Sequence, residues 1–336
     1  MSIIAKSINV VFVVIAFILP FEVKALSPDI EYRNFASEVN ALLVNEKFNS
    51  LESLADRIRS NKTRFKDGRW KLTAFYEGMH PVSNESLSSN WDAHETLIKK
   101  WINQRNNDDP TPFVALGSYY VANAWRLRGT GYSKTVTEEG WKGWRENLTL
   151  AEKTLNDRAS IGKKCPHWFN IMQKVALGQS WDEDRYEMLF NEAVSKEPTY
   201  YFYYFSKANF YQSRWHGSKE KLMKFVDDSV QSTYDKEGYT LYARIYWSAQ
   251  REFGRAMFQP GNVEWSKMKE GFEFINDEYP NSAWNQNAYA HFACLARDKK
   301  ATAEALRKVS DKINLGAWWS KQEFEYCNDW AFDTSP

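Results

Sequence analysis

The chain is poor in the residues that punctuate or staple a fold: of 336 residues, 15 are Gly, 10 are Pro and 3 are Cys. Scarce Gly and Pro exclude collagen-like and linker-rich organisation. Three cysteines cannot build a disulfide-dense scaffold, and with no C-x-x-C pair they lack zinc-site spacing. Charge of one sign is missing too. Its 44 Lys and Arg face 43 Asp and Glu, which argues against a nucleic-acid partner and against an acidic tail. No apolar run reaches the about 20 residues that cross a bilayer. What the chain has in quantity is aromatic: 21 Phe, 18 Tyr and 15 Trp, spread along its length. A chain of this size can bury roughly three quarters of the surface its unfolded form exposes, so a core without staples is expected.

Lys6, the apolar stretch from Ile8 to Phe21 and the small residues around Val23-Lys24-Ala25 stand in the order of a secretory signal. Residues 1–25 are therefore expected to be a leader, and the mature protein to be exported, periplasmic or extracellular, without a membrane span. Export permits disulfides. Cys294 and Cys327 both fall in helical patterns, so a bridge between them would tie the last helix to a neighbour and leave Cys165 over; three reduced, buried thiols are the alternative.

The hydrophobic periodicity is helical nearly everywhere. Leu51, Leu54, Ala55 and Ile58 recur at i, i+3, i+4 and i+7, with Asn49 and Glu52 spaced as a capping pair, and Trp91, Ile98, Trp101 and Ile102 form a second face. No convincing strand pattern competes, so the fold is expected to be all-α. A registered series then recurs: Trp144, Leu148, Ala151, Asn156; Tyr186, Phe190, Ala193, Pro198; Met268, Phe272, Ile275, Pro280; and, more weakly, Leu222, Val226, Ser229, Tyr234. Each reads as the second helix of a pair. The first helices run from Pro112 to Leu127, Trp168 to Leu177, Tyr200 to Tyr211, Tyr239 to Phe253 and Trp284 to Arg297. The spacing is that of tetratricopeptide units, but the interval is roughly 40 residues and variable against their regular 34. The expectation is an irregular tetratricopeptide-like helical-hairpin array, an α–α superhelix. Residues 26–105 would form an N-terminal helical cap continuous with a hairpin region at 106–336, closed by a helix from Leu315 to Phe332.

Four segments carry a family likeness. Ala124-Trp125-Arg126-Leu127-Arg128-Gly129-Thr130-Gly131-Tyr132, Ser213-Arg214-Trp215-His216-Gly217-Ser218, Leu241-Tyr242-Ala243-Arg244-Ile245-Tyr246 and Trp265-x-x-Met268-x-x-Gly271-Phe272 together resemble the bacterial domain-of-unknown-function family 4034. The resemblance spans roughly residues 40–332 and departs at His216, where a second small residue would stand. It implies an exported helical protein and no established activity, cofactor or substrate.

In hairpin arrays the turns line one rim, and Arg, Trp and Tyr are enriched at binding hot spots. Arg126, Arg128, Tyr132, Trp181, Arg214, Trp215 and His216 are accordingly the candidate partner-binding residues. No catalytic motif accompanies them: there is no G-x-S-x-G, H-E-x-x-H or phosphate-binding loop. Asp182, Glu183 and Asp184 follow Trp181, a carboxylate beside an aromatic platform as in a glycosidase, but acidic residues in a first turn serve the helix dipole first. The histidines His80, His94, His167, His216 and His291 stand apart without metal-ligand spacing, and His291 reads as a satisfied core residue. No catalytic residue, metal or cofactor is assigned. Three readings follow: a scaffold holding a protein or peptide partner on its concave face or turn rim, a glycan-binding or glycan-active toroid with two carboxylates about 5 to 10 Å apart, and a purely structural protein.

Overall fold

Six α-helices begin on a Ser, Thr or Asp whose side chain accepts a backbone N–H of the first turn: Thr137, Asp182, Ser218, Ser282, Asp298 and Ser320. Each such cap contributes about 1 kcal/mol and fixes where a hairpin restarts. The computed structural model describes residues 30–81, 91–104, 108–129, 131–310 and 312–333; the expected leader at 1–25 and Thr130 lie outside them. Among the described residues, regular structure is helix throughout, and the one β-type contact is an isolated antiparallel bridge between Arg64 and Trp70.

The N-terminal part holds α1 (Ile30–Val44), α2 (Phe48–Asn61), α3 (Lys71–Glu77) and α4 (Trp91–Gln104). Paired helices follow: α5 (Thr111–Arg128) with α6 (Glu138–Asp157), and then, after the short α7 (Ala159–Gly162), α8 (Pro166–Gly178) with α9 (Glu183–Lys196). Next come α10 (Phe202–Phe210) with α11 (Lys219–Glu237), and α12 (Thr240–Ser248), the short α13 (Gln250–Phe253) and α14 (Trp265–Glu278). The last pair is α15 (Ala283–Leu295) with α16 (Lys299–Val309), and α17 (Lys321–Phe332) packs against both. First helices abut in order, α5 on α8, α8 on α10 and α10 on α12. Their partners form a second row.

The first three members of each registered set are a buried stripe of that second row, while the fourth members, Asn156, Pro198, Tyr234 and Pro280, are not buried. Trp144, Leu148 and Ala151, Tyr186, Phe190 and Ala193, Leu222, Val226 and Ser229, and Met268, Phe272 and Ile275 are all buried. Four points of the sequence reading need correcting; the closing helix expected from Leu315 begins only at Lys321, after a 3-10 turn at Leu315–Ala317. Asn49 does not cap α2, which starts at Phe48 without a side-chain cap, and Glu52 instead accepts the Trp101 indole N–H at 2.9 Å. The helix expected from Tyr239 to Phe253 is interrupted at Ala249, between α12 and α13. A second helix, α16, went unanticipated because its buried face is small: Ala301, Thr302, Ala305, Leu306 and Val309.

Between α2 and α3 the chain makes a tight hairpin, with Phe65 donating to the Arg69 carbonyl at 2.8 Å and Lys71 to that of Thr63 at 2.9 Å. Its tip reaches far along the array. Trp70 Nε1 and Arg64 Nη2 donate to the Thr199 carbonyl at 3.1 and 3.3 Å, and Asn285 Nδ2 donates to that of Asp67 at 3.3 Å. Gly68, at φ +88°, lies where a methyl group would come within 2.6 Å of the Tyr279 ring.

Cys294 of α15 and Cys327 of α17 form a disulfide with Cα atoms 5.8 Å apart, and Cys165 is a free, buried thiol. Unreduced protein denatured in the presence of a thiol reagent should therefore titrate one group, and reduction should lower unfolding free energy by about 3–4 kcal/mol for the 33-residue separation. A methyl added at Gly271 would sit 2.2 Å from the Tyr239 carbonyl oxygen, where α12 and α14 touch. Gly271→Ala should cost about 1–3 kcal/mol in urea unfolding, and an unchanged midpoint would contradict that close approach.

Candidate functional site: a groove along the first helices

The first helices α5, α8 and α10 pack on one another and also turn a stripe of residues towards a common groove. On α5 that stripe is Ser118, Val121, Ala122 and Trp125, at i, i+3, i+4 and i+7; on α8 it is His167, Ile171 and Lys174; on α10 it is Phe202, Phe205, Ser206 and Asn209. With Glu77 at the end of α3, and with His80, they line a groove of about 530 Å³. That volume lies within the range of ligand sites, and so does the composition: apolar walls with a few convergent polar groups.

The electrostatics follow from burial. His167 is 1 % exposed, and its Nδ1 lies 2.7 Å from the Tyr200 hydroxyl, which in turn lies 2.7 Å from Thr73 Oγ1. Tyr76 stacks on the imidazole with ring centroids 4.5 Å apart and reaches Cys165 Sγ through its hydroxyl at 3.3 Å. Burial holds the His167 pKa well below its ordinary value, and the Lys174 charge pushes the same way. Burial likewise lowers His80 to about 4, against a weaker raising effect of the Pro81 carbonyl. Lys174 is shifted down by burial and partly restored by Glu77. Two neutral imidazoles and a desolvated Lys174 thus face a largely apolar groove, with Glu77 at its solvent-exposed edge.

The residues expected on a common rim separate. Arg128 lays its guanidinium over Trp125, Trp141 and Trp144 and donates to the Gly129 and Gly131 carbonyls. Trp215 packs edge-on against Trp125, and Arg214 donates to Asn209 Oδ1 at 3.0 Å. These three therefore gather at the Trp125 and Asn209 end of the groove. Arg126 instead holds Asn123 Oδ1 and covers Trp91. His216 stacks on Phe210, while Gly217 behind it nearly touches the Tyr211 backbone, so the turn there is tight despite the imidazole. Trp181 lies under Arg185, and Tyr132 is 82 % exposed. Asp182 caps α9 by accepting from Arg185 N, the structural role expected of that acidic run. His291 is in the core, caged by Phe292, Trp318 and Trp319, but neither ring nitrogen makes a hydrogen bond of good geometry.

Sequence reasoning missed Glu77, Gln173 and Lys174 as groove residues and left His80 and His167 unconnected. Only the seven-residue step from His167 to Lys174 placed two of them on one helix face. With this geometry in hand, comparison with known proteins adds no identity: no family model, curated protein or solved structure matches the chain. Among the described residues no cluster of three or more His, Cys, Asp or Glu could hold a metal ion.

Unfolded histidine takes up its proton near pH 6.5, whereas His80 and His291 do so only near 4 in the folded protein, each mainly because of burial. Between those values the unfolded chain binds more protons, so stability is full above about pH 6.5 and falls as pH drops towards 4, by up to about 1.4 kcal/mol per pH unit for each group. Urea unfolding from pH 7 to 4.5 checks this. The slope should be shallower in His291→Phe.

Proposed function

We propose that this chain is a non-catalytic binding protein that holds a peptide segment in the groove between α3, α5, α8 and α10. The observation carrying the reading is the pairing of aromatic and aliphatic walls with the buried Gln173 carbonyl oxygen, which has no hydrogen-bond partner. A buried unpaired acceptor costs about 1–3 kcal/mol, and a peptide N–H would recover it. Phe202, Phe205 and Trp125 offer half-buried apolar surface for a side chain of the guest, and Arg214 and Trp215 extend the groove at one end. The likeness to family 4034 contributes no activity to this reading, and a hairpin array of tetratricopeptide type would present its inner face in the same way.

A second reading, glycan binding, is favoured by the same rings standing beside the Ser118 and Ser206 hydroxyls. Its enzymatic form loses support, since Glu77 is the one carboxylate among the described groove residues.

A peptide library captured on the immobilised mature protein tests the proposal. Phe205→Glu should reduce capture of the selected sequences by about tenfold or more, while Trp181→Ala, which does not line the groove, should leave it unchanged. Equal capture by Phe205→Glu and the parent would remove the groove from consideration; enrichment of oligosaccharides in place of peptides would favour the second reading.

A further inference from the structure

Burial lowers the proton affinity of two lysines in this fold, Lys207 and Lys174, and their surroundings differ. Lys207 lies under the Phe190 and Phe225 rings with its Nζ 2.6 Å from the Glu187 carboxylate. A desolvated charge is retained where it is paired in this way. Lys174 is half-buried on the groove face of α8, and among the described residues its Nζ has neither a hydrogen bond nor an ion pair. The one acid that acts on it, Glu77, does so through space from an exposed position, where solvent screens it. His80 and His167 lie near enough for a charge on Lys174 to oppose their own protonation, which burial already disfavours. Nothing around this amine therefore rewards a positive charge in contact.

An unpaired lysine in apolar surroundings is driven towards its neutral form, which carries a lone pair on Nζ. A neutral amine is a nucleophile towards carbonyl carbon. The walls beside it, Ile171, Phe202 and Phe205, belong to a groove of about 530 Å³, large enough for a guest with an apolar chain. We infer that Lys174 Nζ captures an aldehyde or ketone with an apolar body as an imine, the body lying against Phe202 and Phe205. The amine adds to the carbonyl carbon, and one of its two protons passes to the oxygen. The carbinolamine then releases that hydroxyl with the second proton as water, so C=N replaces C=O without an oxidant or reductant. The inference shares the groove with the peptide reading but not its chemistry, so each can fail alone.

Reductive trapping on the folded protein tests it. 3-Phenylpropanal with sodium cyanoborohydride at pH 7, followed by peptide mapping in a mass spectrometer, should label Lys174 about tenfold or more faster than the exposed Lys142. That ratio should shrink as the pH approaches about 10, where exposed lysines lose their protons as well. With acetaldehyde, which lacks the apolar body, and in Phe205→Ala the advantage of Lys174 should fall by about tenfold. Labelling of Lys174 no faster than of Lys142 at pH 7 overturns the inference, whatever the peptide library captures. An advantage equal for both aldehydes and untouched by Phe205→Ala overturns the assigned ligand. Fast, size-dependent labelling alongside a library that captures nothing would remove the peptide reading and uphold this one.

Discussion

A side chain or carbonyl lodged over a helical glycine is the contact that lets the helices come close enough to share a core. Leu155 sits over Gly117, Leu127 over Gly143, Trp144 and Leu148 over Gly178, and the Tyr239 carbonyl over Gly271. Glycine is scarce in this chain, and at these four positions it is spent on interhelical contact rather than on flexibility. In a closely packed interior a single added methyl must displace something, so these contacts fix the separation of the two rows.

That geometry accounts for the chemistry of the inner face. A helix packed on one side alone would present its outer stripe to water, and its polar groups would titrate as they do in solution. Here the stripes of α5, α8 and α10 converge, and His167 and Lys174 lose solvation without meeting an opposite charge in contact. Desolvation then decides which protonation state is present. The Tyr76, His167, Tyr200 and Thr73 chain of stacking and hydrogen bonds holds the imidazole in place from behind, which makes it a rigid wall rather than a mobile ligand.

Much of the helical layout was legible in sequence because amphipathic periodicity reports directly on the face a second helix buries: Tyr186, Phe190 and Ala193, or Met268, Phe272 and Ile275, are the residues the packing covers. The pairing of Cys294 with Cys327 was legible from their places on neighbouring helices, with reduced thiols as the standing alternative. Helix α16 was not, since alanines carry little hydrophobic signal. The groove was harder still. Its polar residues come from α3, α5, α8 and α10, and the first helices are apolar on so many sides that their inner stripe has no contrast; α5 buries Thr111 to Val121 without a gap. The rim residues were legible as types, but where Arg126 or Trp181 points depends on which partner it meets, the Trp91 ring in one case and the Arg185 guanidinium in the other.

The hairpin between α2 and α3 changes what kind of object the array is. Stacked helical pairs contact only their neighbours, and such chains can nucleate at any repeat and fray from either end. Here Asp67 is joined to Asn285 across 218 positions of sequence, and Arg64 to Thr199 across 135. Those links cost loop-closure entropy before they return any contact, which slows their formation. Once made, they tie the early helices to the late ones, which favours melting as one cooperative body over unzipping repeat by repeat.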